Sequence, residues 1–114
     1  MRGAFVVCGP PGCGKTTWVG QRARPGDLVW DLDEIAAVMF NRGRPLLRHP
    51  GTGRARLPWL AGQSLLAMRD GMVEWLATQE VRHGSVFIII TDERQAKRIA
   101  DTIGAVVVEL PARV

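Results

Sequence analysis

The apolar run AFVVC (residues 4–8) ends abruptly in GPPGCGKTT (residues 9–17), and no other junction restricts the possible folds of this chain so strongly. Five apolar residues without polar alternation read as a strand buried on both faces, as in a parallel sheet. Gly9 and the two prolines end it, and a helix is expected from Thr16 to about Arg22, stopped before Pro25-Gly26. Between them, Gly9, Gly14, Lys15 and Thr16 satisfy G-x-x-x-x-G-K-[ST], the P-loop spacing. The spacing has a mechanical reason. Glycines let successive backbone N–H groups turn inward around phosphate oxygens, while the helix that follows points its positive dipole end at them. A bare Gly-Pro turn is the plainer reading, but the buried strand before and the helix after supply the context that a phosphate cradle requires. Residues 9–17 (Gly9, Pro10, Pro11, Gly12, Cys13, Gly14, Lys15, Thr16, Thr17) are therefore the expected nucleotide-binding loop, with Lys15 on the β- and γ-phosphates and Thr16 on Mg²⁺.

The rest of the chain repeats the alternation. LVWD (residues 28–31) reads as a second strand, with Asp33 as N-cap and Glu34 in the first turn of the helix EIAAVMF. Residues 59 to about 80 form a predicted amphipathic helix on Leu65, Met68, Met72, Trp75 and Leu76. VFIIIT (residues 86–91) is the most apolar strand and the natural central one. Asp92 caps a helix whose inner stripe is Ala96, Ile99, Ala100 and Ile103, Gly104 ends it, and residues 105–110 form a fourth strand that can be a sheet edge open to self-association. The pattern predicts one α/β domain over residues 1–114, a mostly parallel four-stranded sheet with helices on both faces.

Composition narrows the function classes. No apolar run approaches the roughly 20 residues of a membrane span, so no membrane partner is expected. MRGAFVVCG runs into the glycine loop rather than a small-residue cleavage site, so a cytoplasmic location is expected. Cys8 and Cys13 read as free thiols, and His49 and His83 show no zinc-ligand spacing. The net charge of +4 rests almost wholly on arginine. Much of it falls in residues 41–58, NRGRPLLRHPGTGRARLP, a long segment without helical or strand period. Arg42, Arg44, Arg48, Arg54 and Arg56 there are candidates for contacting phosphates, of a nucleic acid among others, or for simple solvation. All four tryptophans, Trp18, Trp30, Trp59 and Trp75, are expected in the core, with base stacking a further role open to Trp59.

Three carboxylates can complete the chemistry. Asp31 and Asp33 end the second strand, where an open parallel sheet lines its ligand crevice, so Asp33 is the candidate base and Asp31 a substrate-side acid. Asp92, ending VFIIIT, is a candidate Mg²⁺ ligand or simply a helix cap.

GPPGCGKTTW, the D-x-D of Asp31-Leu32-Asp33, the long helix and IIITDERQAKR together resemble the P-loop kinases of the bacteriophage 5′-hydroxyl polynucleotide kinase family and their small phage relatives. The resemblance implies a three-layer P-loop fold with strand order 2-3-1-4, ATP and Mg²⁺ as cofactors, Lys15 and Asp33 as catalytic residues, Thr16 and Asp92 at the metal, and Arg42, Arg44 and Arg48 with Asp31 on the substrate. Two departures accompany it. The position three residues after the base, an acceptor-side arginine in that family, is Ala36, and the chain ends at Val114 where the family continues into an arginine-bearing lid. A minimal or truncated domain, or an arginine from a neighbouring subunit or from residues 41–58, would account for the second. Three functions remain open: a polynucleotide 5′-hydroxyl kinase, a kinase of a small metabolite, and an ATP-binding or ATPase accessory protein that meets DNA without efficient transfer.

Overall fold

Strands that run side by side in the middle of a parallel sheet must bury both faces, and β1 (Ala4–Cys8) and β3 (Val86–Ile90) do so. Ala4, Val6 and Cys8 with Val86, Ile88 and Ile90 point into the larger apolar cluster, and Val7 with Phe87 into a smaller one on the opposite face. The computed structural model describes residues 3–79 and 84–112. Its sheet is parallel throughout, in the order β2-β3-β1-β4, with β2 at Leu28–Asp31 and β4 at Val106–Glu109.

The chain steps from β1 past β3 to β2, then turns back through β3 to β4. A constant crossover hand requires the helices of those two directions to lie on opposite faces. Accordingly α1 (Lys15–Gly20) packs on the smaller cluster, while α2 (Leu32–Phe40), α3 (Trp59–Ala77) and α4 (Glu93–Ile103) cover the larger one. A six-residue helix can cover a sheet face only with large side chains. Trp18 meets Phe5 and Phe87 edge-on at 6.3 and 6.4 Å, those two rings stack at 5.4 Å, and Arg22 lies 3.9 Å above the Trp18 ring.

Several expectations are corrected by this packing. α1 is shorter than residues 16–22 because the chain leaves the helix at Gln21. The N-cap of α2 is Asp31 rather than Asp33: Asp31 keeps extended angles and its Oδ1 accepts from Glu34 N at 3.4 Å, while Asp33 already lies in the first turn. α3 rests on α2 and α4, and the face it turns inward is Ala61, Leu65, Arg69, Val73 and Leu76. Met68 and Trp75, expected inside, are 44% and 57% exposed, and Trp59 is 78% exposed. The expected helix end at Glu80, His83 and the last two residues lie outside the described residues. α4 has the anticipated stripe, with Asp92 capping it through Arg94 N (2.9 Å) and Gln95 N (3.2 Å) and Gly104 ending it at φ 70°. Among the described residues no helix is long and apolar enough to cross a membrane.

Residues 41–58 are ordered by a turn of their own. Arg48 and Ala55 form an antiparallel bridge, His49 N donates to Arg54 O at 2.8 Å, and Arg56 N to Leu47 O at 2.7 Å. The tip reaches the glycine loop, where a Cβ at Gly53 would stand 3.2 Å from Pro11 Cβ.

Candidate functional site

Register sets the site. Cys8 pairs with Ile90 and Asp31 with Ile89, so the carboxyl ends of β1, β3 and β2 finish level with one another. A cleft of about 880 Å³ opens there, lined from the glycine loop by Pro11, Gly12, Gly14, Lys15, Thr16 and Thr17, and from the strand ends by Asp31, Asp33 and Asp92. This is the crevice that an open parallel sheet leaves outside its carboxyl edge.

The loop's glycines are required for different reasons. Gly12 and Gly14 hold φ of 78° and 94°, a region costly for a residue with a Cβ, and Gly14 opens α1 from that conformation. Gly9 has an ordinary φ but no room: a Cβ there would meet Cys13 Sγ and the Leu110 carbonyl oxygen, each at 2.6 Å. Gly9, Pro10 and Cys13, expected in the binding loop, do not line the cleft. Lys15 Nζ donates to the carbonyls of Gly9 at 2.6 Å and Pro10 at 3.0 Å, which folds its ammonium along the loop. Below the loop, burial raises the Cys8 thiol above its ordinary 9.0, with the Glu109 and Glu93 carboxylates adding to the shift.

The carboxylates are less alike than their positions suggest. Asp31 is buried, and its Oδ2 accepts the Thr16 hydroxyl proton at 2.9 Å while Oδ1 caps α2. It is Asp31 that stands against the hydroxyl of the G-K-T motif. Asp92 lines the cleft from an exposed position, with Oδ1 engaged by the α4 backbone. Asp33 is half-exposed and its Oδ2 is paired with Arg48 Nη2 at 3.1 Å.

Of the expected substrate arginines, Arg48 lines the cleft; Arg42 and Arg44 do not. Arg54 also lines it. Arg48 Nη1 donates to Gly53 O at 2.9 Å, so one guanidinium ties the turn of residues 48–55 to itself and to Asp33. The chain's own arginine-rich segment thus forms a wall of the cleft, with its tip against the glycine loop. Arg69 of α3, 8% exposed, is a lining residue that sequence reasoning missed. Its spacing from Leu65 and Val73 was the available signal, since position 69 falls on the inward stripe.

The residues suit Mg²⁺ with a nucleotide phosphate. The Thr16 hydroxyl and Asp31 carboxylate are hard oxygen donors 2.9 Å apart, and Mg²⁺ in nucleotide sites takes one or two such protein ligands, its remaining positions going to phosphate and water. Among the described residues no cluster of three or more His, Cys, Asp or Glu could hold a metal on its own, a requirement such a site does not have. No family model and no curated protein matches the chain.

Proposed function

We propose that the protein is a Mg²⁺- and ATP-dependent phosphotransferase of P-loop kinase type, acting on a hydroxyl acceptor, with a polynucleotide 5′-hydroxyl as the leading candidate. The observation that carries this reading is the single cleft shared by Lys15, Thr16, Asp31 and Asp33 at level strand ends. ATP bound with Mg²⁺ would supply a transferable γ-phosphoryl group. The backbone N–H groups of Gly12, Gly14, Lys15 and Thr16 hold phosphate oxygens, joined by the Lys15 ammonium once it leaves the Gly9 and Pro10 carbonyls, and Thr16 with Asp31 presents oxygens to the cation. Asp33, half-exposed at the mouth, takes the proton of the acceptor hydroxyl. Release of Arg48 from Asp33 Oδ2 would free that oxygen and move a guanidinium toward the transferring group, where such a charge is most useful. Position 36 is a fully buried alanine of the larger cluster and supplies no group to the cleft.

A nucleotide-binding protein without transfer is the second reading, favoured by the engagement of Asp33 with Arg48 and of Asp92 with the α4 backbone. Incubation with Mg²⁺, γ-labelled ATP and a 5′-hydroxyl oligonucleotide separates the two. Label on the oligonucleotide, reduced at least about 10²-fold by Lys15→Ala, is the result expected of a kinase. Bound ATP with unlabelled oligonucleotide would leave the binding module.

A further inference from the structure

α3 is the longest helix among the described residues, and it carries more apolar surface than its neighbours cover. Leu60, Ser64, Ala67, Gly71 and Trp75 recur at steps of three and four residues, so they form one stripe along its outward side, with Met68 at the border. Leu60 is 69% exposed, and Met68 and Trp75 are about half exposed. No charge falls on the stripe. Of the three charged residues of α3, Arg69 lies on the inward face, while Asp70 and Glu74, four residues apart, share the flank that meets Arg98 of α4. A helix apolar on so many sides is ordinarily buried, and large apolar side chains gathered on one exposed face mark a contact surface.

Gly71 supplies an independent observation. It sits inside α3 with an ordinary helical φ, and a Cβ built there would meet nothing within 4 Å. Glycine weakens a helix interior relative to alanine, and nothing within the domain requires its small size here. A second helix lying close against the stripe would require it.

We propose that a second copy of this chain covers the stripe, the two α3 helices packing antiparallel about a two-fold axis. With the axis between Ala67 and Met68, Leu60 of each copy meets Trp75 of the other and Ser64 meets Gly71, so bulky pairs close both ends of a narrow waist. The stripe is thus self-complementary, as a two-fold contact requires. Charge favours the same arrangement. Of fifteen Lys and Arg, five lie in residues 41–58, whereas all eleven Asp and Glu lie outside that segment, so the remaining surface is close to neutral and does not repel its copy. Residues 41–58 lead into the amino end of α3. An antiparallel partner sets them beside the carboxyl end of the other α3, the negative end of its dipole, and a parallel partner would set the two arginine segments together. The exposed part of the stripe comes to on the order of 500 Å² per copy, about 1,000 Å² in the pair, which is the lower bound of a specific interface. The dimer is therefore reversible, with a Kd in the micromolar range. It stands or falls independently of the phosphotransferase reading.

Sedimentation equilibrium of the full chain from roughly 5 to 500 µM tests this. Expected is a monomer–dimer equilibrium in the wild type whose Kd rises at least about thirtyfold in Trp75→Glu and in Gly71→Arg. Trp75 is exposed and position 71 opens on free space, so both variants keep the domain fold, and Gly71→Arg should unfold at a higher temperature than the wild type when both are monomeric. Val106→Lys, on the exposed edge strand β4, should leave the dimer intact. A wild type that stays monomeric throughout the range would overturn the proposal, and that result needs no variant. So would a dimer that survives both α3 substitutions, or one that Val106→Lys dissolves in their place, since either puts the contact elsewhere.

Discussion

The two segments that face each other across the cleft, residues 9–17 and residues 41–58, are built on opposite principles. The glycine loop is held by local backbone constraints: two positive-φ glycines, a close approach at Gly9, and Lys15 folded onto its own carbonyls. The arginine-rich segment is held by a short bridge with its own backbone hydrogen bonds, by Leu46 and Leu57 against the larger cluster, by one exposed ion pair and by the contact of Gly53 with Pro11. The first is fixed by local backbone geometry; the second leans on the domain through two leucines and meets the carboxylates of the cleft through a single exposed pair. A single exposed pair is what Arg48 needs if it is to exchange a carboxylate for a substrate.

Substitutions can break this contrast. The largest effect is expected from Gly9→Ala, because the added methyl meets the Leu110 backbone carbonyl as well as the Cys13 thiol, and the carbonyl cannot swing aside. A loss of about 3 kcal/mol in urea unfolding is expected. A value near zero would mean that the loop yields. Asp31→Ala comes next, at about 2 kcal/mol, since it removes the α2 cap and leaves the Thr16 hydroxyl without its acceptor. It should also weaken the Mg²⁺ dependence of nucleotide binding, measured by titration with and without the cation.

Arg48→Ala should behave in the reverse manner. The pair with Asp33 is half in water on both sides, so stability should change by less than about 0.5 kcal/mol while label transfer falls at least about tenfold. Equal loss of stability and transfer would show the arginine-rich segment to be structural. The smallest effect belongs to Cys8. Its thiol is raised in the folded protein, so the folded state holds the proton more tightly than the unfolded chain does. Stability is then unaffected well below 9.0 and declines as pH climbs through the unfolded value toward the folded one. Cys8→Ala should flatten that alkaline decline in thermal unfolding scans, and an unchanged profile would remove Cys8 as its cause.

Much of the architecture was legible along the chain because its signals are local. AFVVC and VFIII are apolar on both faces, the glycine loop joins strand to helix, and Asp92 and Gly104 bracket α4 as their residue types suggest. The strand order 2-3-1-4 came from resemblance rather than from spacing, and the sheet has that order. The pairing of Asp31 with the α2 cap was misread because Asp31 and Asp33 are equally good caps by type. Only the level ending of β2 beside β3 decides which one keeps extended angles.

The sequence by itself determined the strands, the glycine-loop spacing and the existence of each helix, since those depend on backbone preference and on periods of two or three to four residues. Tertiary structure alone decided that Trp59 and Trp75 face outward, that the turn at Arg48 forms a wall of the cleft, and that Arg69 is buried in its lining. A helix sequence with apolar residues on several sides has no single inward face until its neighbours choose one. Here α2 and α4 chose the face that carries Arg69, and a charge that composition alone would assign to solvent became part of the site.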